Sequence, residues 1–535
     1  MKKRSFLKSI ILLIGSLPLK LFSYEDHEII SFSHGVASGD PTDSHIILWT
    51  KISKISKNEI VIKWQISTDI DFKDIVVSGS EKTNFDDNFT IKVDAEIPRE
   101  LNGKKIFYRF SYGETHSRVG ITSTLPSSDI ASDIDKYNIA FCSCSNYPAG
   151  FFNSYKEIAK NDDIDLVLHL GDYIYEYGEN VYPAEGSEQM GRIVDPKHEI
   201  VSLDDYRRRY ALYRSDDDLQ DLHASKPMIV VWDDHEFTNN TWKNGAQNHS
   251  KNEGKFEDRV LNAIKAYYEW MPIRENNDKS KIWRDFKVGN LFQLLMLDTR
   301  YLYRDKQLNI NTYMNDGIVN KEQYRNDLNK ERSLLGSEQQ EWIKDKVSKN
   351  FRWSIFGQQL LIGPKYLPKL FRDFESGELP NYIKNIIDLA GAKLPYNTDQ
   401  WDGYPNEREQ FYRNIEASQS SVILAGDSHD SWLSNLYDNG DNFVGIEIGA
   451  PSVTSPNSID TFGEKISIVE DAFIQENRDL KWSNGKNKGY VQLTISNEKI
   501  DAKYHYVSTV KSKKYEALQP IEFTIDHNQP LKSLN

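Results

Sequence analysis

The chain has 535 residues, more than one ordinary core accommodates, so two domains behind an N-terminal segment are expected. Its 66 basic and 80 acidic residues leave a net charge of -14, which excludes a surface built to neutralise nucleic-acid phosphates. A small anionic substrate would then need local metal or arginine charge to hold it, and the composition, rich in Tyr and Trp, excludes collagen-like, coiled-coil and disordered classes.

At the N-terminus Lys2, Lys3, Arg4 and Lys8 surround an apolar run from Ser9 to Leu21 that is short for a membrane span, which predicts an export signal over residues 1–23. Lys3-Arg4-Ser5-Phe6-Leu7-Lys8 resembles a twin-arginine signal with Lys in place of the first Arg, and so implies the twin-arginine export machinery as a partner. An ordinary secretory signal or a membrane anchor competes with it, because no A-x-A cleavage site stands near Ser23. The expected location is outside the cytoplasm: periplasmic, at the cell surface or secreted, or anchored through an uncleaved N-terminus.

Short alternating runs then follow: Ile46–Trp49, Ile60–Trp64, Val76-Val77, Phe89–Val93 and Ile106–Phe110. With breaks such as Gly39-Asp40-Pro41 they predict a small β-sandwich over 28–125. The polar stretch Pro126–Asp133 reads as a linker. Beyond it, continuous apolar runs at Ile139–Cys142, Ile164–Leu170, Met228–Trp232, Phe292–Leu297, Trp353–Phe356 and Ser421–Ala425 predict strands covered on both faces, in an α/β domain over 136–510. Helices are predicted over Leu203–Leu222, Phe256–Trp270, after a Ser337/Gln340 capping box, and over Glu407–Ala417. Ile362–Tyr404 reads as a long irregular loop or lid, and Tyr490–Ile495 with Ala502–Val507 as a closing hairpin. Cys142 and Cys144, two residues apart in a strand-like run, read as free thiols.

Several strands end in polar clusters: Cys144-Ser145-Asn146-Tyr147, Gly171-Asp172-Tyr173-Ile174-Tyr175, Asp233-Asp234-His235-Glu236, Asp298-Thr299-Arg300 and Gly426-Asp427-Ser428-His429. Ligands of α/β sheets bind outside the carboxyl ends of strands, so these clusters are expected to converge. Asp, His and Tyr brought together suit metal ions. A phosphoester is shielded by negative oxygens and neutral water is a poor nucleophile; adjacent cations answer both problems, and need hard oxygen ligands, a bridging carboxylate and a histidine.

Gly171-Asp172-x-x-Tyr175 resembles a ligand pair of purple acid phosphatases, and the wider set is similar to PhoD-type alkaline phosphatases: Ser33–Pro41, Ile47–Thr50, Gly171–Glu176, Trp232–Glu236, Asp298–Arg300 and Gly426–His429. The resemblance implies a four-layer αββα metallophosphatase domain behind the small sandwich, acting on phosphomonoesters or phosphodiesters by attack of a metal-activated oxide or hydroxide. It implies that Asp172 bridges Fe3+ and Ca2+, or other divalent ions in the place of calcium. Tyr175 and Cys144 would accompany the iron and Asp234 the second metal. Asp427 and His429 match the two metal-binding His of a general G-H-x-H motif, with the Asp oxygen suiting calcium, and Asp298 would be a further calcium ligand, with His235 catalytic and Arg300 a phosphate clamp.

Each residue has a plainer competitor. Cys144 reads also as a buried small hydrophobe, and alternation alone does not separate it from Cys142, although Cys144 stands at the strand's end. Tyr175 could be a loop aromatic, Asp233-Asp234 a helix-capping pair, and Asp298 with Arg300 a strand-end ion pair. His34 reads as scaffolding, and Asn239 and Asn240 as surface residues. A monomer is expected, acting on a small phosphoester or a phosphate-containing polymer. Rival readings are a phosphodiesterase or phospholipase on cell-wall or lipid polymers, and a catalytically inactive surface-binding protein. A glycosidase on Asp233 and Asp234 is weakest, since adjacent residues seldom face each other across a scissile bond.

Overall fold

The apolar runs fold as strands of two large sheets lying face to face. In the computed structural model, which describes residues 30–53, 59–129, 134–183, 185–374 and 379–532, one sheet has nine strands. Their order is Ile521–Asp526, Lys499–Val507, Lys488–Ser496, Lys136–Cys142, Leu166–His169, Pro227–Val230, Val36–Gly39, His45–Lys51 and Thr90–Glu96. The other has seven: Arg284–Val288, Phe292–Met296, Trp353–Gly357, Ser421–Ala425, Phe443–Gly449, Ser431–Tyr437 and Leu480–Asn484. The central strands of each are parallel. The export signal expected over 1–23 lies outside the described residues.

Burial on both faces is visible along a single strand. Leu294 and Met296 join Phe141, Leu168 and Ile355 in a core between the sheets, while Leu295 and Leu297 point the other way, onto Ile343 and Phe411 of the helices Gly336–Lys346 and Pro405–Asn414. That alternation is why the run is apolar apart from the buried Gln293. Asn153–Lys160, Leu203–Arg214 and Phe256–Trp270 cover the outer face of the nine-stranded sheet through Tyr155, Tyr210 and Ala263. The result is helix, sheet, sheet, helix.

The N-terminal strands form two facing sheets. Ile62, Trp64 and Tyr108 of a five-stranded sheet pack on Ile46, Leu48 and Val93. One face of this sandwich is not separate, however: Val36–Gly39 runs parallel to Pro227–Val230 and so extends the large sheet. Gly39 permits the contact, since a Cβ there would stand 2.2 Å from Pro272 O. The next residue, Asp40, is buried and takes both Arg284 Nη2 at 2.7 Å and Arg284 Nε at 2.9 Å, riveting the segment to the seven-stranded sheet.

The helix expected over Leu203–Leu222 is two, Leu203–Arg214 and Asp217–Ser225, because Asp216 caps the second by accepting the Asp218 and Leu219 amides. The Ser337/Gln340 box is not formed. Glu407 instead accepts the amides of Leu335 and Gly336 at 2.8 and 3.1 Å. The segment read as an irregular lid holds the short helix Asn381–Ile386 and several single turns, and buries Leu367, Phe371 and Ile383 against Trp432 and Phe473. The hairpin forms as Lys488–Ser496 with Lys499–Val507. Among the described residues no helix is long and apolar enough to cross a membrane.

Candidate metal centre

The loops that follow Lys136–Cys142, Leu166–His169, Pro227–Val230 and Ser421–Ala425 meet at the carboxyl ends of the two sheets. Cys144, Asp172, Asp427 and His429 all have left-handed backbones, with φ of 61°, 54°, 58° and 66°. Such conformations are costly for residues with a Cβ and concentrate at functional sites. Glu236 fixes two of the loops at once, accepting the amides of Asp172 at 3.0 Å, Tyr173 at 2.5 Å and Asp233 at 2.7 Å.

Three groups of donor atoms result, each within 4.8 Å of one another: Cys144, Asp172 and His429; Asp172, Asp234 and His235; and Asp233, Asp234 and Asp427. Asp172 belongs to the first two and Asp234 to the last two, so the groups form a chain. Tyr175 joins it, its hydroxyl donating to Asp172 Oδ2 at 3.0 Å and standing 3.4 Å from His429 Nε2. Ser455 Oγ stands 2.7 Å from Tyr175 Oη. The hydrogen bond between His429 Nδ1 and Pro456 O, at 2.6 Å, turns Nε2 inward. His235 Nδ1 is 2.6 Å from Glu176 Oε2.

Arg300 is fully buried behind the acids. Its Nε binds Asp233, Nη1 binds Asp399 at 2.5 Å, and Nη2 binds Asp427 at 2.5 Å with Asp234 at 3.7 Å. Asp298 lies apart from the three groups. Its Oδ1 accepts the amides of Arg300 and Tyr301 at 2.9 and 3.2 Å, closing the turn after its strand. Of the two cysteines, Cys144 reaches the acids, whereas Cys142 points into the core toward Leu168 O.

So many carboxylates in a buried space perturb one another. Burial, with Asp234, Glu236 and Asp427 adding to it, pushes the Asp172 carboxyl well above its ordinary range. Burial lifts Asp427 to about 6 against the pull of Arg300. At Asp234 the same burial is outweighed by Arg300 and His235, which hold it at about 2. Burial also lowers His429 to about 4, favouring the neutral ring a metal needs. His235 is the opposite case: burial disfavours its charge, yet Glu176, Asp172 and Asp234 raise it well above its ordinary value.

The donor set fits metal ions. Among the described residues, buried Asp172 Oδ1, Asp233 Oδ2 and Asp234 Oδ1 have no hydrogen-bond partner although they are surrounded by polar groups, a cost that a cation would remove. A thiol, a phenol and an imidazole gather at one end of the chain of groups and carboxylates alone at the other, which separates a soft-to-borderline position from a hard one.

Sequence reasoning weighed Asp233 only as a capping or glycosidase residue, and it missed Glu176, Glu236, Asp399 and Ser455 as parts of the site. Glu176 and Glu236 stand inside the quoted motifs, so their positions were visible and their tasks were not. Asp399 lies in the irregular segment and Ser455 in the loop after Phe443–Gly449, where no polar strand end marks them.

Comparison with known proteins identifies the family. Residues 139–504 match the family model described as PhoD-like phosphatase, and residues 23–126 the PhoD-like phosphatase N-terminal domain. Alkaline phosphatase D of Bacillus subtilis (strain 168) is 34% identical over 498 residues, covering 90% of this chain and 78% of that protein. A solved structure described as "Structure of PhoD" superposes with a TM-score of 0.78 at 31% identity, over 94% of this chain and 92% of the other. The chain belongs to the PhoD-like phosphatases, a metal-dependent family of enzymes that hydrolyse phosphoric esters.

Proposed function

We propose that the chain holds Fe3+ between Cys144, Asp172, Tyr175 and His429, and Ca2+ at the carboxylate end formed by Asp172, Asp234 and Asp427 with Asp233 beside them. The observation that carries this reading is the position of Asp172, whose carboxylate belongs to both a Cys/His group and an Asp/His group. The metals, when bound, supply positive charge to the phosphoryl oxygens and acidify water. The protein's own residues do the rest. His235, whose Nδ1 is held by Glu176 Oε2 at 2.6 Å, donates toward the departing ester oxygen. Arg300 is assigned to holding Asp233, Asp399 and Asp427 in register, in place of the phosphate clamp expected from sequence, because its donors are turned to those carboxylates. Asp298 is assigned to the turn it closes.

The charged and apolar N-terminal segment supports export from the cytoplasm. Elemental analysis of protein from its native compartment, with its visible spectrum, tests the metals. Iron with an absorption band that Tyr175→Phe abolishes is expected. Iron without such a band would sink the Tyr175 assignment, and unchanged p-nitrophenyl phosphate turnover in Asp172→Ala would sink the centre as a whole.

A further inference from the structure

The loop that carries Asp427 continues through Ser428 and Asp430 to Trp432, and these residues form one side of a cavity of ≈ 300 Å³. The opposite walls come from two places. Phe371, Tyr382 and Tyr396 belong to the segment over 362–404, and Phe462, Ile466 and Phe473 to the helices Ser458–Phe462 and Ile466–Glu476. The rings pack on one another, Phe371 with its centroid 5.7 Å from Phe462 and 5.8 Å from Phe473, and Tyr396 6.0 Å from Phe473. Phe371 and Phe473 are buried; Tyr382 stands 58% exposed at the mouth.

Among the described residues no lysine or arginine lines the cavity, which does not favour a second phosphate there. Two of its carboxylates are already engaged, Asp430 by the Ser458 amide at 3.0 Å and hydroxyl at 2.5 Å, and Glu470 by the Gly485 amide at 2.7 Å. Gln400, Ser428 and Ser483 add polar edges, and most of the remaining wall, from Leu361 and Ile383 to the rings of Phe371, Phe462 and Phe473, is hydrocarbon. The volume is about twice the roughly 150 Å³ that admits a benzene ring. On the other side of Tyr382, Tyr396 and Asn397 lies a pocket of ≈ 550 Å³ of mixed lining, with the amides of Asn240, Gln247, Gln307 and Asn385 beside Trp242, Leu308 and Ile310. The aromatic cluster of Phe371, Phe462 and Phe473 belongs to the smaller cavity alone of the two.

We propose that the cavity beside Asp427 is a specificity subsite that takes the hydrocarbon part of an ester group on the substrate phosphorus, a ring or a chain of about six carbons. The inference rests on the phosphoesterase reading and adds to it a preference: Asp427 belongs both to the acidic groups and to the cavity wall, so an ester arm leaving the centre on that side enters the cavity directly. Phe462 and Tyr382 set the preference without touching the reacting atoms.

The test uses the full metal-loaded chain and substrates matched in leaving-group acidity. Ethyl and n-hexyl phosphate form one pair, and their p-nitrophenyl diesters form another. A kcat/KM for the hexyl ester on the order of tenfold or more above the ethyl ester is expected. Phe462→Ala, and independently Tyr382→Ala at the exposed mouth, should bring that ratio toward one while leaving the ethyl ester within about twofold. Equal kcat/KM for ethyl and hexyl esters in the parent protein, or a ratio unmoved by both substitutions in folded protein, overturns the subsite while leaving phosphoester hydrolysis intact. No turnover of any of the four esters overturns the hydrolase reading and the subsite with it.

Discussion

Glu236 Oε2 accepts the backbone amide of Asp172 at 3.0 Å, so the residue shared by two donor groups is oriented through its main chain by a carboxylate that is not itself a member of those groups. The same oxygen accepts the Asp233 amide and the other accepts the Tyr173 amide. Burial, against these three amides, lifts the Glu236 carboxyl to about 7.

Glu236→Ala leaves three buried amides without an acceptor and should lower the unfolding free energy by about 3 kcal/mol or more. Urea unfolding measures it. A loss under about 1 kcal/mol would show that water or a neighbour replaces the carboxylate.

Glu176→Gln should change the acid-base behaviour of His235. Glu176 is lowered from 4.5 against the opposing effect of burial, so its contribution to stability is present above pH 4.5 and is lost as pH falls through the lowered value. His235 is raised from 6.5, so its contribution is full below pH 6.5 and is lost as pH rises through the raised value. The pair therefore stabilises the metal-stripped protein on a plateau that includes pH 4.5 to 6.5. In the variant the His235 ring should titrate at lower pH by NMR, and turnover should fall on the order of 10- to 100-fold.

Arg300→Met removes the cation that Asp233, Asp399 and Asp427 share. In metal-stripped protein the expected loss is about 3–5 kcal/mol, because uncompensated charge remains buried. Added calcium should restore part of the melting temperature. A melting temperature that does not respond to calcium would argue that Arg300, not a cation site, is what the acids serve.

Gly171→Ala should abolish the centre. Gly171 has φ of 103°, and an added Cβ would lie 2.4 Å from Asp233 Cβ and 2.6 Å from Asp233 N. Backbone strain of about 1–3 kcal/mol then adds to a clash between two ligand loops. Metal content per folded chain, after dialysis, is the readout, and full occupancy would contradict the prediction.

The parts of the fold that were legible in sequence are those where one physical demand acts alone. Strands buried on both faces are apolar along most of their length, and Phe292–Met296 or Ser421–Ala425 could be read for that reason, despite Gln293 in the one and Ser421 at the start of the other. Where two demands compete, the pattern alone does not separate them. Apolar spacing continues across Ser215 and Asp216, and the capping strength of Asp216 splits the helix against it. The donor residues themselves were visible as polar endings of apolar runs. What was not visible is which of them face one another. The four-way grip on Arg300 depends on Asp399, about 100 residues downstream in a segment with no strand to announce it.

The nine-stranded sheet takes its neighbours from far along the chain: Val36–Gly39 lies against Pro227–Val230, and Lys136–Cys142 against Lys488–Ser496. Cys144 O in turn accepts the Ser455 hydroxyl at 3.0 Å. During synthesis the acidic loops thus emerge long before the strands that complete the frame around them, and assembly of the site is a late event, slowed by pairing across several hundred residues. A metal ion captured early by a half-made cluster would meet donors without the geometry that the finished loops impose, so discrimination between ions belongs to the folded chain.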